Sequence, residues 1–197
     1  MIALTFDACP RRQNPAFAAD VVSVLETMRV PATFFVSGKW ADANPDALAR
    51  LAGRPYFEIA LHGFSHPHMT NATPLQIRAE IEDGRAALLR HGVTPAPFFR
   101  APYGENPPGL ATVSRQSGVV AVLGDGGLGD PDPIRTAPIL ERDAIRWLQA
   151  GSIIILHVNG GGYATARTVA ELVPLLRARG YHFVRISDLA GSCDTRQ

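Results

Sequence analysis

The sequence predicts an α/β barrel in one domain, a parallel sheet whose strands are joined by helical crossovers. Three observations carry that expectation. Apolar runs of strand length alternate with helical patterns about seven times, an order that builds parallel sheets. Most of those runs are apolar on both pleat faces, as strands covered on both sides must be. No glycine-rich phosphate fingerprint follows any of them, which weakens the open nucleotide-binding sheet and favours a barrel. At 197 residues, with no polar linker, the chain fits a single domain spanning 1–197.

The strands fall where β-branched and aromatic residues concentrate: Ile2–Phe6, Ala32–Val36, Phe57–Leu61, Pro97–Phe99, Val119–Leu123, Ile153–Leu156 and His182–Ile186. Helix starts are marked by asparagine or threonine before proline, at Asn14-Pro15, Asn44-Pro45, Thr73-Pro74 and Asn106-Pro107. The first residue caps, and the fixed φ of proline suits the first helical position. Thr73 also has Gln76 three residues on, so cap and third residue can satisfy each other's free amides. That places a helix from Pro74 to about Arg90, and another begins near Thr165.

Composition excludes several function classes. A net charge of +1, with 19% charged and 46% hydrophobic residues, gives no electrostatic basis for nucleic-acid binding. No apolar run approaches the roughly 20 residues of a membrane-spanning helix. The first strand begins at Ile2 without a signal-peptide pattern, so a cytoplasmic location is expected if Met1 is the native start. An envelope or secreted location is expected if a leader was removed. Cys9 and Cys193 can form at most one disulfide, which would favour the envelope.

In a barrel of this kind, residues at the carboxyl ends of the strands form the site. Those ends carry Asp7, then His62 and His66, then Arg100 with Pro102-Tyr103-Gly104, then Asp125 and Asp130, then His157. The histidines of His62-Gly63-Phe64-Ser65-His66 stand four residues apart, and one helical turn would bring both imidazoles onto one face to share an ion such as zinc. A lone pair at that spacing is more often two ordinary surface histidines. A carboxylate, an arginine and two separate histidine sites on one rim are too many polar groups for solvated loop ends.

With these residues in hand, the chain resembles the polysaccharide deacetylase family, the NodB-homology domain of carbohydrate esterase family 4. The resemblance covers essentially the whole sequence and rests on five ordered motifs. They are Thr5-Phe6-Asp7-Ala8, His62-Gly63-Phe64-Ser65-His66, Arg100-Ala101-Pro102-Tyr103-Gly104, the Asp125–Asp130 stretch and Leu156-His157. It implies a distorted (β/α) barrel of about seven parallel strands and metal-assisted removal of acetyl groups from N-acetylated amino sugars.

Amide hydrolysis needs a polarised carbonyl, a deprotonated water and a proton for the departing amine. By the resemblance, Asp7 is the base, His62 and His66 hold a divalent metal, and His157 protonates the sugar nitrogen. Zinc is the expected ion, with cobalt or nickel as alternatives. Arg100 would orient Asp7 and keep it ionised, and Asp125 would raise the pKa of His157. The Tyr103 amide, in the turn begun by Pro102, is the expected oxyanion donor, and Leu156 would line the pocket for the acetyl methyl group. Bland alternatives exist for each: a surface ion pair for Arg100, a core aromatic for Tyr103, a buried strand residue for Leu156, and turn formers for Asp125 and Asp130.

Two departures stand out. Where the family carries a second aspartate as metal ligand, this chain has Ala8. Water, a further side chain such as Asp125, His68 or Cys9, or a bound anion could complete the shell, and water is favoured. Cys9 is disfavoured because neighbouring side chains on an extended segment point to opposite faces, so it should not fill the space left by Ala8. The fourth motif lacks an aromatic residue and reads Gly124-Asp125-Gly126-Gly127-Leu128-Gly129-Asp130, which suggests a mobile loop. The leading expectation is a metal-dependent N-deacetylase of a peptidoglycan or chitin-like carbohydrate. The alternatives are a family member that binds carbohydrate without hydrolysing it, or a deacylase of a small non-sugar amide.

Overall fold

The computed structural model describes residues 1–10 and 17–194. Its sheet has eight strands and every pairing is parallel. In chain order they are β1 (Ile2–Ala8), β2 (Ala32–Val36), β3 (Phe57–Leu61), β4 (Phe98–Phe99), β5 (Val120–Ala121), β6 (Gly126–Gly127), β7 (Ile153–His157) and β8 (Phe183–Val184). Neighbours run β5-β4-β3-β2-β1-β7-β6, with β8 pairing the start of β1. Among the described residues no ladder joins β5 to β6, so the result is a distorted (β/α) barrel, open on that side. The helices are α1 (Ala19–Thr27), α2 (Gly38–Ala43), α3 (Pro45–Ala52), α4 (Pro74–Arg90), α5 (Leu110–Gln116), α6 (Ala137–Trp147), α7 (Thr165–Ala178) and α8 (Ile186–Asp194). No helix among the described residues is long and apolar enough to cross a membrane.

Strand periodicity divides the core in two. One set of side chains, including Leu4, Phe6, Ala8, Phe34, Val36, Leu61 and Leu156, packs with the helices in a large cluster. The alternate set, including Ala3, Phe35, Ala60, Phe98 and Val122, forms a smaller cluster with Ile186 and, partly buried, Ile153. Asp7, Arg100 and His157 have the parity of this second set, and the register places Asp7 of β1 beside Phe35 of β2 and His157 of β7. Burial on both faces thus fixes which side chains reach the carboxyl-terminal rim.

The apolar runs Ala32–Val36 and Phe57–Leu61 are strands over their predicted extents, and α4 has its predicted bounds. The Thr73 hydroxyl accepts from the Gln76 amide, and the Gln76 side chain accepts from the Thr73 amide, forming the capping box. Thr73→Ala is expected to cost about 1 kcal/mol, read as a lower urea midpoint at unchanged slope. Asn44-Pro45 also begins a helix, whereas Asn14-Pro15 lies outside the described residues. Asn106-Pro107 does not start one, because Pro108 disfavours helical backbone at Pro107 and the chain enters α5 at Leu110, after Gly109 at φ +83°. The glycine-rich fourth motif is not a free loop: Gly126–Gly127 is a strand, and the Asp125 and Leu128 amides donate to Ile153 and Ile155 oxygens of β7. Gly124 is required there, since a Cβ would sit 2.4 Å from the Ile155 side chain.

Candidate active site

A cleft of about 540 Å³ opens at the carboxyl ends of the strands, lined among others by Asp7, Cys9, His62, His66, Tyr103 and His157. Asp7 lines it, and Arg100 lies buried behind Asp7. The Arg100 Nη1 donates to Asp7 Oδ1 at 2.8 Å and to the Thr5 hydroxyl at 2.8 Å, and the guanidinium lies 3.9 Å from the centre of the Phe35 ring. Arg100 is 1% exposed and Asp7 6%. Burial alone would raise the Asp7 pKa, but Arg100, His62 and His157 outweigh it and hold the carboxyl below its ordinary value.

The two histidines do meet, though not across a helical turn. Residues 62–66 form a loop in which Gly63 and His66 both take positive φ, +75° and +61°, and the ring centroids lie 4.9 Å apart. Glu80 of α4 holds that loop, accepting from the Phe64 and Ser65 amides and from the Ser65 hydroxyl. The capped helix is therefore what fixes the position of His66. His62 Nδ1 faces the Arg100 carbonyl oxygen at 2.9 Å, and a carbonyl can only accept, so Nδ1 carries the proton and Nε2 is left as a bare lone pair. That Nε2 is buried without a hydrogen-bond partner. Burial pushes the His62 pKa down, and burial with His62 alongside pushes His66 down to about 4, so both rings are neutral at pH 7. A neutral imidazole with its second nitrogen anchored to a carbonyl is the form that binds a cation, so these residues fit a divalent metal.

His157 is held by Asp130 and not, as the sequence suggested, by Asp125. Its Nδ1 donates to Asp130 Oδ1 at 2.9 Å and its amide to Oδ2 at 2.8 Å, while the Thr165 hydroxyl donates to Oδ2 at 2.6 Å. Asp130 is fully buried by these contacts. The carboxylate of Asp125 accepts from the Ile153 amide and so belongs to the junction of β6 and β7. Burial lowers the His157 pKa, but the hydrogen bond and charge of Asp130, with Asp7 beyond, raise it above the ordinary value. The three-glycine segment after His157 is a tight connection. A Cβ on Gly162 would stand 1.9 Å from the Thr165 hydroxyl and 2.6 Å from Asp130 Oδ2, so only glycine lets the chain pass the carboxylate.

Three further expectations are corrected. Leu156 is fully buried in the helix-facing cluster, on the pleat face opposite His157, and Ile155 lines the cleft instead. Period-two alternation gives the reason: the apolar neighbour sharing the His157 face stands two residues before it. Pro102 is buried beneath the 3-10 turn Pro102–Gly104, so Tyr103 and Gly104 reach the cleft. Tyr103 is itself 58% exposed at φ +59°, its ring stacked on His68 at 4.0 Å and edge-on to His66 at 4.6 Å. Cys9 also belongs to the site. Ala8 packs into the helix-facing core, so alternation returns Cys9 to the face of Asp7, and its sulphur lies with the ring nitrogens of His62 and His66. The thiol is free, with its pKa pushed well up by burial and by Asp7 and Asp130.

These groups define a class: a (β/α) barrel whose rim joins a neutral histidine pair to an arginine-held aspartate and an aspartate-held histidine. The chain belongs to the polysaccharide deacetylase family, whose model matches residues 1–122, more than half of its length. It is 31% identical to a chitooligosaccharide deacetylase of Sinorhizobium fredii, over 91% of this chain and 87% of that protein. A peptidoglycan-N-acetylglucosamine deacetylase of Bacillus cereus is 27% identical over 96% of this chain and 87% of its own. Among solved structures, a family 4 acetyl xylan esterase from Clostridium thermocellum in complex with a cobalt ion is 33% identical. That structure superimposes with a TM-score of 0.82 over 95% of this chain and 89% of that one.

Proposed function

We propose that the cleft hydrolyses the acetamido group of N-acetylated amino sugars in a peptidoglycan or chitin-like carbohydrate, releasing acetate and a free amine. The observation that carries this reading is the pairing of Asp7 with Arg100 and of His157 with Asp130, on adjacent strands beside the unpartnered His62 Nε2. One carboxylate has its pKa lowered and one imidazole has its pKa raised in the same cleft, the division of labour that a base and an acid require. A divalent metal held by His62 and His66, zinc by preference with cobalt or nickel as alternatives, would supply Lewis acidity toward the acetyl carbonyl and lower the pKa of water.

In this reading Asp7 takes a proton from the attacking water as its oxygen bonds to the carbonyl carbon. The Tyr103 amide donates to the developing oxyanion; the turn itself uses only the Gly104 and Glu105 amides, on Ala101 and Pro102 oxygens. His157 then gives its proton to the nitrogen as the carbon–nitrogen bond breaks, and the acetyl methyl group rests against Ile155. An ester alkoxide leaves more readily than an amide nitrogen, so a raised-pKa acid suits amide cleavage. The test is acetate release by the metal-loaded protein from N-acetylglucosamine oligomers and from O-acetylated xylo-oligosaccharides. A higher kcat/KM on the amide supports the reading, activity on the ester alone replaces it with an esterase, and binding of the oligomer without acetate makes the protein a carbohydrate-binding family member.

The pH profile has a definite sign. Asp7 must be ionised, so activity falls as pH drops through its lowered pKa, below 3.8. His157 must be protonated, so activity falls as pH rises through its raised pKa, above 6.5. Asp130→Asn removes the charge that raises it, and the alkaline limb of kcat is expected to move about 1–2 units lower. An unmoved limb in that variant would detach His157 from the profile.

A further inference from the structure

Ala8 offers no ligand, which leaves the two-histidine pair short of a third protein donor. We propose that the Cys9 thiolate is that donor, making the centre Cys-His-His; the proposal rests on the metal-dependent reading of the cleft. The Cys9 sulphur and one ring nitrogen from each of His62 and His66 lie within 4.8 Å of one another. A tetrahedral zinc or cobalt shell spaces such atoms about 3.5 Å apart, so a closure of about 1 Å completes it. The second observation is independent of the sulphur: His62 is 1% exposed, its Nδ1 is spent on the Arg100 carbonyl, and its Nε2 has no hydrogen-bond partner, the Asp7 carboxylate standing 3.7 Å away.

The backbone holds Cys9 in place from both sides. The Ser37 amide and hydroxyl donate to the Ala8 oxygen at 3.2 and 2.9 Å, and Asn159 Nδ2 donates to the Cys9 oxygen at 3.2 Å. The competing donors are committed elsewhere. Asp125 accepts from Ile153, and His68 pairs with Glu105 at 2.8 Å while stacking on Tyr103. No other group of three or more histidine, cysteine or acidic ligands occurs among the described residues. The chemistry also fits: a coordinating thiol gives up its proton to become a ligand of one negative charge, and its softness favours zinc or cobalt over magnesium.

The test is optical titration of the metal-free full chain with cobalt(II). One cobalt per chain is expected, with an intense thiolate-to-cobalt charge-transfer band in the near ultraviolet. Cys9→Ser should abolish that band and weaken cobalt binding at least about 10-fold, a loss that removal of a mere supporting partner already produces. Cys193→Ser should leave band and affinity unchanged, which excludes the second thiol as the source. Cobalt uptake by the unaltered protein without the band overturns the thiolate ligand and leaves the metal-dependent reading standing. Failure of the unaltered protein to take up cobalt overturns both.

Discussion

Asp7→Asn should lower kcat on an N-acetylglucosamine oligomer by about 10²–10⁴-fold, the span that a positioned general base contributes. The amide is isosteric and its oxygen can still accept from Arg100, so geometry is retained while the proton acceptor is lost. The loss should fall mainly on kcat, since the proposed base acts on the attacking water and not on the sugar. Metal uptake through His62 and His66 should persist and serves as the control for an intact site. Equal loss of kcat and metal would assign Asp7 to holding the ion and would remove it as the base.

Arg100→Met is the second large effect, and it is read first in stability. The methionine fills most of the space over Phe35, but the Asp7 carboxylate, 6% exposed, is left without its cation. Breaking a buried pair from one side costs about 3–5 kcal/mol. In the parent the folded pKa of Asp7 is depressed, so its contribution is complete above the unfolded value near ~3.9 and lost as pH falls through the folded one. In Arg100→Met, burial is no longer opposed by the guanidinium and the folded pKa rises. Below about pH 4 the carboxyl is neutral in both states and the deficit is smallest; it grows as pH rises through the new folded value. Denaturant midpoints at several pH values measure this. The double variant Asp7→Asn/Arg100→Met should lose less than the sum of the singles, because each single strands the other's charge or dipole. Strict additivity, or a deficit independent of pH, would show that Arg100 acts through packing alone.

Much of this was legible in the chain. Apolar runs such as Ala32–Val36 and Phe57–Leu61 specify buried parallel strands because burial on both faces leaves no alternation to misread. Asp7, His62, His66, Arg100 and His157 follow as the polar residues at strand ends, and they do converge, four of them lining the cleft and Arg100 behind it on Asp7. The partner of His157 was not legible. Asp125 and Asp130 flank one glycine-rich stretch, and only the pairing of Gly126–Gly127 with β7 decides that Asp125 is spent on Ile153 while Asp130 reaches the imidazole. Ile155 and Cys9 could have been found by carrying period-two alternation from His157 and Asp7. The expectation for Cys9 failed at one step: it took position 8 to face the site, whereas Ala8 faces the helices. Glu80 carried no signal, being an acidic residue of a helix 14 positions beyond His66 in sequence that becomes its support through the loop's folding.

In the proposed function a divalent metal at His62 and His66 works with Asp7 and His157 to remove N-acetyl groups. The most direct test of that reading is acetate release from an N-acetylglucosamine oligomer by protein stripped with chelator and then titrated with zinc. No release is expected from the stripped protein, with recovery that saturates at one zinc per chain. Undiminished release after stripping, or no release at any zinc level, would contradict it.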